Sequence, residues 1–373
     1  MWLNKSFKTA KSISFMGGKW SVKKEKIYDK INRIQAALQD EQSRNLFDAR
    51  LHYSITRNNK TFYDAVDLCE NQWHCSGLEQ FLSQTNGKGI ILWGCGYHGM
   101  ETKRVLDLFH CNIDYFCDRD HRKIGTKIHG IPVISPEEVF DQYSDYSVIL
   151  GSGIYKDEMR QALLFHNFPE NNILYPNYSH LQAWSDKKQY FDVFKPEPNE
   201  LFIDAGSFDG ETILDFIDWS GGNYNKIVAM EPFKEMKEKI DRLCSEKHLK
   251  RVFVEEAAAW DQEEELFFTE DRAGSRVETD GMIRICGKSI DSLKINDKVT
   301  FLKMDVEGSE WKALKGAKST IQRDRPRLAV SLYHKPEDIV ELPYYILELV
   351  PDYKFYIRHY TSDLNETVLY AVL

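Results

Sequence analysis

Asp204, Gly206 and Gly210 stand in the stretch LFIDAGSFDGET at 201–212, and Glu231 closes KIVAME twenty-one residues after Gly210. An apolar strand running into an acidic residue and a glycine-spaced turn is a common seat for a nucleotide. A dinucleotide loop is spaced G-x-G-x-x-G so that a pyrophosphate can lie on backbone amides. Here the spacing is D-x-G-x-x-x-G, and a carboxylate at the strand end repels a pyrophosphate at close range. The site suits a ligand that is positive at that point. S-adenosylmethionine meets the requirement, with a cationic amine and sulfonium, no phosphate, and a ribose and adenine beyond. Gly206 and Gly210 let the backbone approach its methionine portion, where a Cβ would intrude. Glu231, at the end of the next strand, can accept hydrogen bonds from both ribose hydroxyls. Ser207 in the turn and Pro232 after Glu231 complete the central cofactor-binding set. The competing reading is a helix-capping Asp204 and a surface Glu231.

A second glycine turn, GCGYHG at 94–99, does have dinucleotide spacing, follows the strand GIILW and precedes a helical pattern. Asp118 lies nineteen residues past Gly99, where a ribose-binding acid would sit. Three readings compete there: a nucleotide-sugar site at Gly94–Gly99, an NAD site, and glycines that merely allow tight packing.

Bulk properties narrow the function classes. At 373 residues the chain is long enough for two or three domains, and 42% hydrophobic with 29% charged residues describes a soluble globular protein. A net charge of −9 argues against nucleic-acid binding, which needs a basic face. No apolar run reaches membrane-spanning length, and the N-terminus has no apolar core of a secretory signal. The seven cysteines include no Cys-x-x-Cys pair, as expected of reduced thiols in a cytoplasmic protein. Cys69, His74 and Cys75 make half of a metal site with no matching second half, so no metal is expected.

The elements that must position these residues follow from periodicity. Residues 1–85 read as a helical N-terminal segment, with Ile27, Ile31, Ile34 and Leu38, then Leu46, Leu51 and Ile55, at helical spacing. Strand, turn and helix alternate over 86–178, predicting a small Rossmann-like α/β domain. A linker at 179–199 closes on KPEPNE. Residues 200–373 predict a second α/β domain with strands at 201–205, 226–231, 251–257, 300–305 and 327–333. KFYIRHY and ETVLYAVL then form an antiparallel hairpin that leaves one strand antiparallel at the sheet edge, unlike an ordinary dinucleotide fold.

FIDAGSFDGET, AMEP at 229–232, AAAWD at 257–261, AGSR at 273–276 and, above all, FLKMDVEGSEWKALKGA at 301–317 resemble FkbM-type methyltransferases. The closing IRHYTSDLNETVLYA at 357–371 resembles that family's terminal hairpin. The resemblance covers roughly residues 187–373. It implies the doubly wound sheet of class I S-adenosylmethionine-dependent methyltransferases, and usually O-methylation of a sugar or polyketide-type hydroxyl. By position it also implies that Glu256 and Ala257 flank the adenine. A hydroxyl is a poor nucleophile, so a base is expected near its proton. Asp305 or His334 is the predicted base, with Glu307 orienting the acceptor; Asp305 and Glu307 as caps of the helix near Ser309 is the alternative. Residues 113–139 resemble the small N-terminal domain of PglD-type sugar-modifying proteins. The combined expectation is O-methylation of a sugar, glycan or nucleotide-sugar conjugate, as part of polysaccharide biosynthesis. The rivals are an NAD-dependent sugar oxidoreductase and a non-catalytic nucleotide-sugar-binding protein.

Overall fold

The computed structural model describes residues 26–69, 71–85, 87–176, 181–269, 276–277 and 283–373. Residues 1–25 of the expected helical segment, and most of AGSR, lie outside them.

The C-terminal sheet has seven strands, numbered here within that sheet: β1 Glu200–Ala205, β2 Tyr224–Met230, β3 Val252–Glu255, β4 Phe301–Met304, β5 Arg327–Ser331, β6 Lys354–His359 and β7 Thr367–Val372. Their order is β3-β2-β1-β4-β5-β7-β6, the order of the class I methyltransferase fold. β3, β2, β1, β4 and β5 run parallel, and β7 is antiparallel to both β5 and β6. The antiparallel strand therefore lies one position in from the edge, and β6 is the edge strand. Pairing β7 with β5 lets the apolar run TVLYAV bury both of its faces, which the more polar KFYIRH does not do. Every residue of β1, β4 and β5 is buried, as expected of central parallel strands covered by helices. The predicted third strand ends early, at Glu255. Ala258–Ala259 then leaves to pair with Ile283–Lys288 in a separate small sheet beside the ends of the main strands.

The first α/β unit carries a six-stranded sheet. Ile90–Trp93 lies between Tyr115–Cys117 and Ser147–Leu150, all parallel. Both Ile90–Trp93 and Ser147–Leu150 are buried throughout.

The N-terminal helices Ile27–Ala37, Glu41–Thr56 and Lys60–Asp67 pack on the C-terminal unit, and the last of them also contacts the first α/β unit through Tyr63 and Asp67. Ile34, Leu38, Leu46, Phe47, Phe62 and Val66 join one core with Phe355, Ile357 and Leu369. Asp40 caps the helix Glu41–Thr56 by accepting from Ser43 N at 2.8 Å and also pairs with Arg358 at 2.7 Å. Leu68 and Ile55, by contrast, are exposed. The two α/β units meet through Arg104, which donates to Ser362 O, pairs with Asp67, and lies over the Tyr63 ring at 4.2 Å.

Candidate active site

A cleft of about 670 Å³ opens at the C-terminal ends of β1, β2, β4 and β5, the edge where open α/β sheets receive ligands. Gly206 begins the turn after β1 with φ +85°, and a Cβ there would sit 1.8 Å from Asp305 O. Only glycine lets β1 and β4 end this close together. Gly210 (φ +90°) precedes the helix Glu211–Trp219, with Leu243 and Ile240 against its Cα. Ser207 is buried and its hydroxyl donates to Asp204 O at 2.8 Å, which tightens the turn.

Glu231 lines the cleft while 4% exposed. Its Oε2 accepts from Phe208 N and its Oε1 from Phe233 N, each at 3.0 Å. Each oxygen keeps a lone pair, so the carboxylate has capacity for two further donors. Burial pushes its pKa up to about 7, against the pull of those two amides. Pro232, Phe233, Ala258, Ala259, Ile283 and Ile285 give this end of the cleft apolar walls suited to a purine. Ala257 is wholly buried and Glu256 exposed, so it is Ala258 and Ala259 that line the cleft where the preceding pair was expected.

Asp204 lies below the turn, fully buried, with Lys303 Nζ 3.0 Å from its Oδ1. Lys303 also donates to Gly206 O at 2.6 Å. Burial disfavours the ammonium, but Asp204 and then Asp305 outweigh it and hold the Lys303 pKa above its ordinary value. The strand-end carboxylate is thus paired with a lysine of the chain itself. It holds Lys303, which in turn holds the Gly206 turn.

At the other end of the cleft stand Asp305, Glu307, Tyr333 and Glu366. Tyr190 donates to Asp305 Oδ2 at 2.7 Å, and Tyr333 Oη lies 3.3 Å from Asp305 Oδ1 and 3.1 Å from Glu366 Oε1. Burial alone would raise the Asp305 pKa, but Lys303 and then His334 hold it below its ordinary value. His334 Nε2 is 3.6 Å from Asp305 and 3.5 Å from Glu307, while Nδ1 is 2.9 Å from the buried Glu310. That last contact is in ion-pair range but off the line of a hydrogen bond. Burial opposes the imidazolium, yet Glu310, Asp305 and Glu307 together push its pKa up to about 9. At neutral pH this favours the imidazolium, which leaves Asp305, Glu307 and Glu366 as the carboxylates at this end of the cleft.

Glu307 adopts φ +52° and lies exposed at the rim. The turn before the helix Glu310–Gly316 is held instead by Glu310, whose Oε1 accepts from Val306 N and Gly308 N at 3.0 and 3.3 Å. Asp305, Glu310 and His334 each bring one ligand atom within 4.8 Å of the others, a spacing open to a divalent cation. The imidazolium already supplies positive charge there.

At the first glycine turn, Asp118 accepts from Cys95 N at 3.0 Å and pairs with Lys123 at 2.8 Å. A Cβ on Gly99 would sit 2.0 Å from Gly94 O, and one on Gly94 2.6 Å from Gly151 O. These glycines bring strand, helix and neighbouring strand together. His359, in the terminal hairpin, is buried between Thr367 Oγ1 and Asp363 O, and burial pushes its pKa down to about 3. Its place is structural. Among the described residues no helix is long and apolar enough to cross a membrane.

The family model described as the methyltransferase FkbM domain matches residues 204–357. Among solved structures, the chain is similar to a methyltransferase FkbM from Methylobacillus flagellatus KT at 19% identity, covering 87% of this chain and 99% of that one, with a TM-score of 0.48. It is also similar to fibrillarin from Aeropyrum pernix with bound S-adenosyl-L-methionine, at 13% identity over 47% of this chain and 67% of that one, with a TM-score of 0.31. A UDP-D-quinovosamine 4-dehydrogenase from Vibrio fischeri aligns with 21% of this chain and 71% of its own, at 21% identity and a TM-score of 0.19. No curated protein matches the chain.

Proposed function

We propose that this chain, whose residues 204–357 carry an FkbM methyltransferase domain, O-methylates a hydroxyl of a sugar, glycan or nucleotide-sugar conjugate with S-adenosylmethionine as donor. One observation carries the reading. A single cleft has a carboxylate with two free acceptor positions at its apolar end, Glu231, and an ionised carboxylate at its polar end, Asp305. Glu231 holds the ribose hydroxyls, and Gly206 and Gly210 admit the methionine portion. Ala258, Ala259, Ile283 and Ile285 enclose the adenine.

When bound, S-adenosylmethionine supplies a methyl group on a sulfonium, which a hydroxyl oxygen takes up as the carbon–sulfur bond breaks towards sulfur. Asp305 accepts the hydroxyl proton. Tyr190 and Tyr333 fix the orientation of Asp305, and Lys303 and His334 keep it ionised until then. A positioned base contributes about 10²–10⁴ in rate, and holding the acceptor in line contributes the rest. Glu307 at the rim is placed to receive an acceptor hydroxyl. Incubation with methyl-labelled S-adenosylmethionine and a panel of sugars, glycans and nucleotide sugars tests the reading. Label on a sugar oxygen is the expected result. Label found only on a nitrogen, or on none of the panel while the donor binds, removes the hydroxyl assignment.

A further inference from the structure

A second cavity, of about 270 Å³, lies on the far side of Tyr333 from the donor cleft, and Tyr333 lines both. Four separate parts of the chain build it, one of them the terminal turn with Asp363. Arg50, Tyr53 and Arg57 come from the helix Glu41–Thr56 and its C-cap, Tyr97 from the first glycine turn, and Lys335 from the loop after β5. The turn GCGYHG thus presents Tyr97, 59% exposed, to a site shared with the methyltransferase unit.

The charge of this cavity is out of keeping with the chain. In a protein of net charge −9, Arg50, Arg57 and Lys335 face one lining carboxylate, Asp363, while a fourth lining cation, His334, is already held by Asp305, Glu307 and Glu310. Asp363 already accepts from Thr361 Oγ1, Asn365 N and Gln182 Nε2. Arg50 is 4% exposed and donates only to the carbonyls of Leu364 and Tyr333. Burial pushes its pKa down to about 10, so it stays charged. Asp338 and Asp363 act on the Arg50 guanidinium electrostatically and partly offset the effect of its burial, while its hydrogen bonds go to carbonyl oxygens. A buried guanidinium that hydrogen-bonds only carbonyls, with the exposed Arg57 and Lys335 beside it, is a seat for an anion. Arg50 and Arg57 lie over the Tyr53 ring at 5.6 and 5.9 Å, and the exposed Tyr97 lines the same seat.

We infer that this cavity binds the phosphate of a phosphorylated sugar acceptor, with the acceptor hydroxyl reaching past Tyr333 to the donor cleft. The acceptor role rests on the methyl-transfer reading above; the anion site itself does not. Phosphate geometry matches the fork of a guanidinium, and two exposed cations can close over a diphosphate. A neutral glycan would bring no anion to Arg57 and Lys335.

The test is calorimetric titration of the full chain with inorganic phosphate, inorganic pyrophosphate and, separately, S-adenosylhomocysteine. The variant carries Arg57→Asn, since asparagine tolerates the φ of +60° at this position, together with Lys335→Gln. Both side chains are exposed and hold no structural ion pair, so the fold is expected to persist. The wild type should bind pyrophosphate, and the double variant should lose about 100-fold in affinity, roughly tenfold per cation removed. Its affinity for S-adenosylhomocysteine should be unchanged. Tighter binding of pyrophosphate than of phosphate identifies a diphosphate acceptor, equal binding a monophosphate, and either supports the site. No binding of either anion at millimolar concentration, or binding equal in wild type and variant, overturns it. Loss of S-adenosylhomocysteine binding alone would count against the methyl-transfer reading and leave the anion site standing.

Discussion

Replacing Lys303 by methionine removes a charge from the centre of the site while nearly preserving volume. The side chains of Lys303 and Asp204 are 3% and 0% exposed, with Nζ 3.0 Å from Oδ1, and the same ammonium donates to Gly206 O. The variant leaves Asp204 buried with no cation in reach and Gly206 O without its donor. Removing one partner of a buried pair costs about 3–5 kcal/mol, because an uncompensated charge stays behind. The folded-to-unfolded ratio should fall by roughly two to four orders of magnitude. Urea denaturation followed by tryptophan fluorescence reads this as a lower midpoint at unchanged slope. Asp204→Asn in the same chain removes the stranded charge, so the double variant should recover a large part of the loss. A double-mutant cycle then gives a coupling of about 1–3 kcal/mol. Strict additivity, or a single variant as stable as wild type, would show that Lys303 and Asp204 do not act as a buried pair.

Other consequences follow from the same geometry. Glu231 carries a pKa of about 7 and must be ionised to accept two ribose hydroxyls, so affinity for S-adenosylhomocysteine should weaken as pH falls from 8 to 6. Calorimetry across that range checks this, and Glu231→Gln should bind more weakly with little pH dependence. His334, raised to about 9 from an unfolded value of about 6.5, adds stability that is complete below the unfolded value and is lost as pH rises through 9. His334→Gln should flatten the stability profile between pH 7 and 9, as read by denaturation. Asp305→Asn should lower turnover by about 10²–10⁴ while leaving S-adenosylhomocysteine affinity within a few-fold, once a sugar acceptor has been found. Gly206→Ala must push a Cβ towards Asp305 O at φ +85°, and should abolish cofactor binding or the fold, visible in either titration or circular dichroism.

The parts of the site that follow the chain locally are legible in its sequence. Asp204, Gly206 and Glu231 are strand ends and turns, and their position on consecutive parallel strands brings them to one edge. Residues that reach the cleft through long-range packing are not. Tyr190 sits in a stretch that reads as linker, 115 positions from the Asp305 it hydrogen-bonds. Glu366 belongs to the terminal turn yet faces Tyr333 across the cleft. Lys303 did leave a signal, a lysine inside the apolar strand FLKM, which has to find a buried anion. Glu310 left none, since an acid at a helix start reads as ordinary capping; only the fold brings it against His334. The apolar wall of the cleft lies two residues beyond Glu256 because β3 stops at Glu255 and the chain turns into the small sheet. The N-terminal helices were readable as helices, but their docking on β6 through Leu38 and Phe355 depends on a surface formed over three hundred residues later.

The most direct test of methyl-donor binding is calorimetric titration of the wild-type chain and the Glu231→Ala variant with S-adenosylhomocysteine. One-to-one binding with a Kd below about 100 µM, weakened at least tenfold in the variant, is the predicted result. Absence of binding, or equal binding by both proteins, would contradict the assignment of this cleft.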